Sequence, residues 1–332
     1  MQKRVLGVWD ISISQPGLGG LLIFVEELKM QQIIEKAEYI DLCFVGDVSQ
    51  TLSMRKVCGT NRLFTPLSTE DCKGSPILTA LLGLECIDLC YQCSSFENLQ
   101  EFVFNSSYHY TLWPSVGEQG ILNYDYGNTL FLKKFFKDYS FIPYLSCREE
   151  LARWAMGFLQ SYVFPSMPVV IHLKNNPNEE NCSNANFDEW FSFFRACNLH
   201  YDVKFILIGN EETDKRIHNL PNTILARDFG SNLSRDLALI QTACIFMGMA
   251  SGPCQMALFS DVPYVIYKNP DHHAKEMQLE MGREDQFPFA SSLQKVLRVF
   301  ETQENLMSVF DFLYTNVKRS DWGRKKAGIK IN

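Results

Sequence analysis

The chain has 332 residues, 46% of them hydrophobic and 21% charged, and this composition excludes an intrinsically disordered protein. Its formal net charge of −7 disfavours nucleic acid as a main partner, because a surface that binds a duplex is usually basic. Asp10 interrupts the first apolar run too early for a secretory signal, and no run of about 18 uncharged apolar residues spans a bilayer. The odd number of cysteines, 11, favours reduced thiols in a cytoplasm over a disulfide framework.

Short apolar segments alternate along the chain with longer segments of helical periodicity. In chain order, the predicted strands are Arg4–Trp9, Tyr39–Val45, Cys86–Tyr91, Val169–Leu173, Val203–Ile208, Thr223–Ala226, Ile245–Gly248 and Tyr264–Tyr267. The predicted helices are Gly20–Lys36, Leu130–Tyr139, Glu149–Val163, Phe187–Cys197, Ser234–Ala243, Pro253–Ser260 and Ser291–Asn316. This alternation predicts an α/β protein whose parallel sheets are covered by helices on both faces.

Two prolines within the segment Phe164–Pro168 indicate a domain boundary, because they end the preceding helix before a new strand begins. We therefore expect an N-terminal domain over residues 1–164 and a second domain over residues 165–290. The remaining residues, 291–332, are expected to form C-terminal helices that pack back on the first domain, followed by a basic tail. That tail, from Lys318 to Lys330, is typical of a frayed, solvated end; the alternative is peripheral contact with an anionic lipid surface of the inner membrane.

The turn Ser251-Gly252-Pro253 carries the strongest signal for a ligand. Ser251 suits the cap of a helix, Gly252 lets a ligand approach the backbone, and Pro253 fits the first helical position. The free N–H groups at a helix N-terminus, together with the helix dipole, favour a phosphate. The turn follows a predicted strand, and open parallel sheets bind ligands at that end of their strands.

The residues around this turn resemble a known family. The run Met247–Pro253, followed by Met256-Ala-Leu and by Val262-Pro263-Tyr-Val-Ile, resembles the donor-binding half of bacterial heptosyltransferase-like glycosyltransferases. More distantly, the chain is similar to fucosyltransferase-like enzymes. The resemblance implies the GT-B architecture, in which two Rossmann-type domains with parallel sheets face a cleft. Ala250 stands where the family usually has an acid, so the donor contact of that acid is missing here.

The same resemblance implies further residues that bind the donor. His172 and Lys174 end the strand where relatives place His-Pro-Gly or His-x-Arg, and Lys174 would neutralise the charge of a departing diphosphate. A structural role at the strand end is the alternative for His172, and a solvated loop charge is the alternative for Lys174. In relatives, the loop that corresponds to Gly209-Asn210 borders the nucleotide, and we expect the loop at Asp228 to touch the base and ribose. The predicted donor residues are therefore His172, Lys174, Gly209, Asn210, Asp228, Ser251, Gly252 and Pro253.

The first half of the chain supplies fewer signals. The glycines Gly17, Gly19 and Gly20 lead into the first helix and let the backbone approach an anionic ligand, but their spacing fits neither a P-loop nor a dinucleotide fingerprint. An inverting sugar transfer needs a base that deprotonates the acceptor hydroxyl. Heptosyltransferases use an Asp at the start of this helix, and the nearest carboxylate here is Asp10. We predict Asp10 as the base, with Glu118 and His109 as substitutes.

Three alternatives to transfer of a sugar remain open: a radical SAM enzyme, a nucleotide-sugar hydrolase or epimerase, and a non-catalytic binding module that keeps the phosphate-binding turn. Cys86, Cys90 and Cys93 have the C-x3-C-x2-C spacing that holds an iron–sulfur cluster in radical SAM enzymes, although Cys86 and Cys90 lie in a predicted buried strand. A nucleotide-sugar hydrolase or epimerase would use the same cleft. The sequence has no convincing Asp-x-Asp motif, so we expect neither a metal nor a cofactor. The prediction is a glycosyltransferase that moves a sugar from a nucleoside-diphosphate donor to a glycan or lipid-linked glycan acceptor in bacterial surface-polysaccharide assembly.

Overall fold

The computed structural model describes residues 2–46, 64–68, 71–116, 124–177, 183–281 and 285–317. The chain divides into two compact units, Met1–Arg148 and Glu149–Asn332. The boundary lies before the helix Glu149–Tyr162, whereas the sequence pattern placed it after that helix, at residue 164. The reason is that this helix packs along the helix Leu233–Thr242 of the second unit, where Arg235 lies 4.7 Å from the ring of Trp154.

The first unit is a five-stranded sheet with helices. Its elements are β1 Lys3–Asp10, α1 Leu18–Glu35, β2 Tyr39–Val45, β3 Phe64–Pro66, α2 Pro76–Leu82, β4 Ile87–Cys93, α3 Phe96–Asn105, β5 His109–Trp113 and α4 Leu130–Tyr139. The strand order is β3-β4-β2-β1-β5, with β3 antiparallel to β4 and the other pairs parallel. The predicted strands and helices at β1, α1, β2, β4 and α4 are confirmed, and β3, α2, α3 and β5 are additions.

The centre of the first unit is the contact between β1 and α1. The apolar run of β1 is fully buried because this strand has a neighbour on either side and a helix over its face. Gly7 in β1 permits the approach of α1, since a Cβ at that position would lie 2.4 Å from Leu28 Cδ1. The strand ends of this sheet are therefore held against a rigid core.

The second unit has a fully parallel six-stranded sheet. Its elements are α5 Glu149–Tyr162, β6 Met167–His172, α6 Phe187–His200, β7 Val203–Leu207, α7 Lys215–His218, β8 Thr223–Leu225, α8 Leu233–Thr242, β9 Ile245–Met249, α9 Cys254–Leu258, β10 Tyr264–Tyr267, α10 Ala274–Met281, β11 Gln294–Leu297 and α11 Gln303–Asn316. The order β8-β7-β6-β9-β10-β11 corresponds to the order 3-2-1-4-5-6 of dinucleotide-binding sheets. The predicted α/β class with Rossmann-type parallel sheets is confirmed.

The closing segment differs from the prediction of one helix over Ser291–Asn316. Its first part is the edge strand β11, and the helix begins only at Gln303. Thr302 caps that helix: its Oγ1 accepts from the Asn305 N–H at 3.3 Å, while Asn305 Oδ1 accepts from the Thr302 N–H at 3.1 Å. Phe310 of α11 packs on Phe193 of α6, so α11 is part of the core of the second unit.

None of the helices within the described ranges is long and apolar enough to cross a membrane. The predicted basic tail, Lys318 to Lys330, lies outside the described residues.

Candidate functional site

The second sheet has its topological switch point between β6 and β9. From these two strands the chain continues in opposite directions across the sheet, which leaves a crevice at their carboxyl ends. Gly248 of β9 pairs with His172 of β6, and a Cβ at Gly248 would lie 2.3 Å from the His172 carbonyl oxygen. The glycine is required because the two backbones approach so closely, and this contact fixes the position of His172.

His172 joins the loops that follow three strands of this sheet. Its side chain is 2% exposed, with Nδ1 2.9 Å from Ser251 Oγ and Nε2 3.3 Å from Glu211 Oε1. Burial opposes the ionisation of Glu211, but the hydrogen bond and charge of His172, with the backbone N–H groups of Glu211 and Asn210, outweigh it and lower the pKa of Glu211. The His172 ring thus links the Ser251 turn to the loop after β7 through its two nitrogens.

A second set of hydrogen bonds holds the loop after β7. Gly209 has a φ of +94°, and its N–H donates to Asp236 Oδ2 at 3.0 Å. Asp236 also accepts from the Ser231 hydroxyl, at 2.5 Å, and burial raises the pKa of this carboxyl. A Cβ at Gly209 would lie 2.4 Å from Glu211 Oε2. Position 209 therefore favours glycine for its backbone conformation, and a larger residue would also displace the Glu211 carboxylate.

Two lysines flank the turn at Ser251. Lys174 follows β6, Lys268 follows β10, and β9 with its turn lies between those strands in the sheet. Both lysines are half-buried. Burial is the main cause that lowers the pKa of Lys268, and the charge of Lys174 lowers it further, while Cys254 and Glu280 act in the opposite direction. Both ammonium groups therefore belong to the carboxyl edge of this sheet, on either side of the Ser251 turn.

The turn itself is built differently from the prediction. The helix that follows has only five residues, Cys254–Leu258, and Pro253 occupies the cap position. The Ser251 hydroxyl contacts His172 instead of capping the helix, and the buried Cys254 thiol donates to the Ser251 carbonyl at 2.8 Å. The helix dipole acts only within the first turn, and a helix of five residues has a small dipole. The positive charge beside the turn therefore comes from Lys174 and Lys268.

The remaining residues predicted for the donor lie nearby in the fold with fewer contacts. Asn210 is exposed beside Gly209, and Asp228 is exposed in the 3-10 turn Ala226–Phe229. Its neighbour Arg227 donates from Nη1 to the Glu211 carbonyl at 2.9 Å, which anchors the loop after β7. Sequence reasoning missed both Arg227 and Lys268. The sequence contained a signal for Lys268, because this cation directly follows the end of a predicted strand. Lys174 was predicted from a similar position, two residues after the end of β6.

In the first unit, the residues predicted as catalytic bases do not lie together. Asp10 ends β1, is 6% exposed, and accepts through Oδ1 from the Ser12 N–H at 2.8 Å and the Ser12 hydroxyl at 2.6 Å. His109 begins β5 and pairs with Lys3, so it lies at the amino edge of the sheet, opposite to Asp10. Glu118 lies outside the described residues. Of the two candidates that the structure describes, Asp10 lies at the carboxyl edge and His109 does not.

Of the glycines at the start of α1, Gly20 has a packing role, whereas a Cβ at Gly17 would meet nothing within 4 Å. Gly17 is the cap residue of α1, and Gly19 and Gly20 belong to its first turn. A Cβ at Gly20 would lie 3.3 Å from Trp9 Cη2, so this glycine lets α1 approach the indole of β1. The structure thus explains Gly20 by contact with the core, without a ligand.

The cysteines proposed for an iron–sulfur cluster do not form a ligand set. Cys90 and Cys93 are buried in β4, and three residues apart on a strand their side chains point to opposite faces. Burial raises the pKa of the Cys86 thiol to about 12, which disfavours the thiolate that binds iron. Within the described ranges, no group of three His, Cys, Asp or Glu side chains is placed to hold a metal. The cluster hypothesis is not supported.

The fold is that of solved glycosyltransferases. No protein-family model matches the sequence, and no curated protein matches it. Escherichia coli ADP-heptose lipopolysaccharide heptosyltransferase II is similar in structure, with a TM-score of 0.55 and 10% identity over 95% of this chain and 99% of that one. E. coli heptosyltransferase WaaC with ADP gives a TM-score of 0.49 at 10% identity, over 94% and 99% of the two chains. A family 9 glycosyl transferase from Veillonella parvula gives 0.47 at 10% identity, over 96% and 90%. The likeness to heptosyltransferase II establishes that the two units of this chain adopt the GT-B fold.

Proposed function

We propose that the protein is a glycosyltransferase that moves a sugar from a nucleoside-diphosphate donor to a glycan acceptor in bacterial surface-polysaccharide assembly. The observation that carries the proposal is the pair of half-buried lysines, Lys174 and Lys268, on either side of the Ser251 turn at a switch point. The oxygens of a diphosphate would accept charge-assisted hydrogen bonds from both ammonium groups. The name of the E. coli enzyme of the same fold, which specifies ADP-heptose, supports a nucleotide-sugar donor.

In this proposal, the second unit binds the donor. Lys174 and Lys268 pair with the diphosphate oxygens, and the loops at Gly209-Asn210 and Asp228 contact the nucleoside. As the bond between the anomeric carbon and the phosphate oxygen breaks, negative charge grows on the departing diphosphate. The two ammonium groups stabilise that charge more strongly than the charge of the intact donor, which is how they lower the barrier.

The first unit supplies the base. Asp10 takes the proton of the acceptor hydroxyl while its oxygen forms the new bond to the anomeric carbon, so the configuration at that carbon inverts. The two hydrogen bonds from Ser12 hold the Asp10 carboxylate in a single orientation. We place the reaction in the cytoplasm, with a lipid-linked glycan as one acceptor and with peripheral membrane contact through the basic tail.

The first test measures the melting temperature with a panel of ADP, UDP, GDP and CDP. A nucleotide present at 100 times its dissociation constant stabilises the folded protein by about 2.7 kcal/mol, so one member of the panel should raise the melting temperature by several degrees. A flat response to all four nucleotides would contradict a diphosphate site.

The second test follows turnover of the matching nucleotide sugar with and without an acceptor glycan. Transfer requires the acceptor, whereas a hydrolase or an epimerase releases or isomerises the sugar without one. Asp10→Asn keeps the shape of the side chain and an oxygen for Ser12, but it cannot accept the proton. We expect this variant to bind the nucleotide normally and to lose about 100-fold or more in transfer rate. Unchanged transfer would remove Asp10 from the mechanism.

A further inference from the structure

A cavity of about 570 Å³ lies at the carboxyl edge of the first sheet, where β1, β2 and β4 end. Its volume is within the range of small-molecule sites. Its apolar lining residues are Ile11, Val45 and Phe96. Its lining residues with polar side chains are Asp10, Ser12, Gln15, Ser94, Ser95, Glu97 and Gln100. Carboxylates, hydroxyls and amides are the groups that exchange hydrogen bonds with a ligand rich in hydroxyl groups.

The described residues that line this cavity carry negative charge. Among the described residues that line it, Asp10 and Glu97 are charged, and none is a lysine, arginine or histidine. Asp10 is 6% exposed, so its carboxylate acts on a bound ligand with little screening by water. Because two carboxylates repel a third anion, a phosphate or carboxylate group on the ligand would lower its affinity for the cavity.

The start of α3 does not offset this repulsion. A helix N-terminus usually attracts an anion through its free N–H groups. Here Ser95 Oγ accepts from the Asn98 N–H at 3.4 Å, and hydrogen bonds from the Ser95 hydroxyl and the Glu97 N–H lower the pKa of Glu97. Glu97 lies in the first turn of α3, so its negative charge opposes a second anion at this helix end.

We propose that this cavity binds an uncharged sugar through its hydroxyl groups and discriminates against sugars that carry phosphate or carboxylate. The proposal rests on the proposed function, in which the sugar is the acceptor and Asp10 contacts its reacting hydroxyl. It names the substrate class of the first unit: a neutral glycan end, with its hydrogen-bonding hydroxyls toward the polar side chains and its C–H face on Phe96.

The test is saturation-transfer NMR with two sets of methyl glycosides. The neutral set contains the glucoside, galactoside and mannoside, and the anionic set contains their 6-phosphates and the matching uronates. We expect the wild type to bind at least one neutral glycoside about tenfold more tightly than its anionic counterparts. Gln100→Ala should weaken the neutral ligand several-fold, because it removes an amide from the lining.

The charge argument is tested with Glu97→Lys, which places a cation where the carboxylate stood. This variant should reduce the preference for the neutral glycoside by about tenfold, mainly by binding the 6-phosphate. Glu101→Lys is the matched control: it makes the same charge change on an exposed side chain of the same helix that does not line the cavity. The melting temperatures of both variants are measured to confirm that they are folded.

Three results would overturn the proposal: anionic sugars that bind the wild type as well as neutral ones, an equal effect of Glu97→Lys and Glu101→Lys, or no binding from either set. Each result is separable from the proposed function, because nucleoside-diphosphate binding is measured on the same samples. Neutral glycosides that bind while no nucleotide does would refute the transferase and leave this site standing. The reverse pattern would refute this site alone.

Discussion

Single residues set the positions of the groups in the candidate donor site, and Gly248 does so by its lack of a side chain. A methyl group there would lie 2.3 Å from the His172 carbonyl oxygen, which is backbone and cannot rotate away. We expect Gly248→Ala to destabilise the second unit by about 1–3 kcal/mol, the usual cost of an overpacked core. Urea denaturation followed by circular dichroism measures the change.

The control is a glycine of the same unit in open space. Gly157 lies in α5, and a Cβ built there has no neighbour within 4 Å. Because glycine within a helix is less favourable than alanine, Gly157→Ala should stabilise the same unit by about 0.5–1 kcal/mol. Opposite signs for the two substitutions support the close approach of β6 and β9. A neutral Gly248→Ala would contradict it.

At the same scale, the sequence predicted residue types better than residue roles. His172, Lys174 and Ser251 lie at one sheet edge as the resemblance implied, because strand order follows from the alternation of elements. The hydroxyl of Ser251 was assigned to the helix cap, since capping is read from adjacent residues. Its observed partner is 79 positions away in the chain, and no local pattern contains such a contact.

At the scale of elements, helix α1 carries two buried acids toward the core of the first unit. Glu27 Oε2 accepts from Trp113 Nε1 at 3.1 Å and from the Tyr124 hydroxyl. Burial raises the pKa of Glu27 to about 7, although these hydrogen bonds act against the shift. Burial also raises the pKa of Glu26, whose carboxylate oxygens are buried without a hydrogen-bond partner.

These shifts make the stability of the first unit depend on pH. The folded protein keeps a proton on Glu27 up to about pH 7, whereas the unfolded chain releases it near 4.5. The free energy of unfolding therefore decreases as the pH rises between these values, by about 3 kcal/mol for Glu27 alone. Glu27→Gln should remove most of this decrease, measured by urea denaturation at pH 5 and pH 8. A wild-type protein that is as stable at pH 8 as at pH 5 would contradict the shift.

The sequence predicted an element correctly where its apolar run was long. The prediction failed where the run was short. Strand β11 has four residues at the sheet edge, with a burial pattern that alternates, and it was absorbed into the predicted helix Ser291–Asn316. Thr302 and Asn305 form the capping box that marks the true start of the helix. Periodicity alone does not separate a short edge strand from an adjoining helix, because four residues fit either repeat.

At the scale of the whole molecule, an acidic protein is proposed to bind an acidic donor. The formal net charge is −7, and a uniform distribution of that charge would repel a diphosphate. Charges separated by more than about 8 Å in water are largely screened at physiological ionic strength, so affinity depends on the groups beside the ligand. Lys174 and Lys268 are half-buried at the carboxyl edge of the second sheet, where water screens their charges less than it screens exposed charges.

This argument predicts different effects for two substitutions that change the net charge equally. Lys268→Ala and Lys215→Ala each take the formal net charge from −7 to −8, since 30 basic residues would remain against 38 acidic ones. Lys215 is exposed on α7, away from the Ser251 turn in the sheet order. Lys268→Ala should weaken nucleoside-diphosphate binding about tenfold or more, because it removes a charge-assisted hydrogen bond, and Lys215→Ala should leave the dissociation constant within about twofold. Isothermal titration calorimetry measures both constants. Equal losses would mean that the net charge of the molecule governs affinity, and the lysine pair would then lose its assigned role.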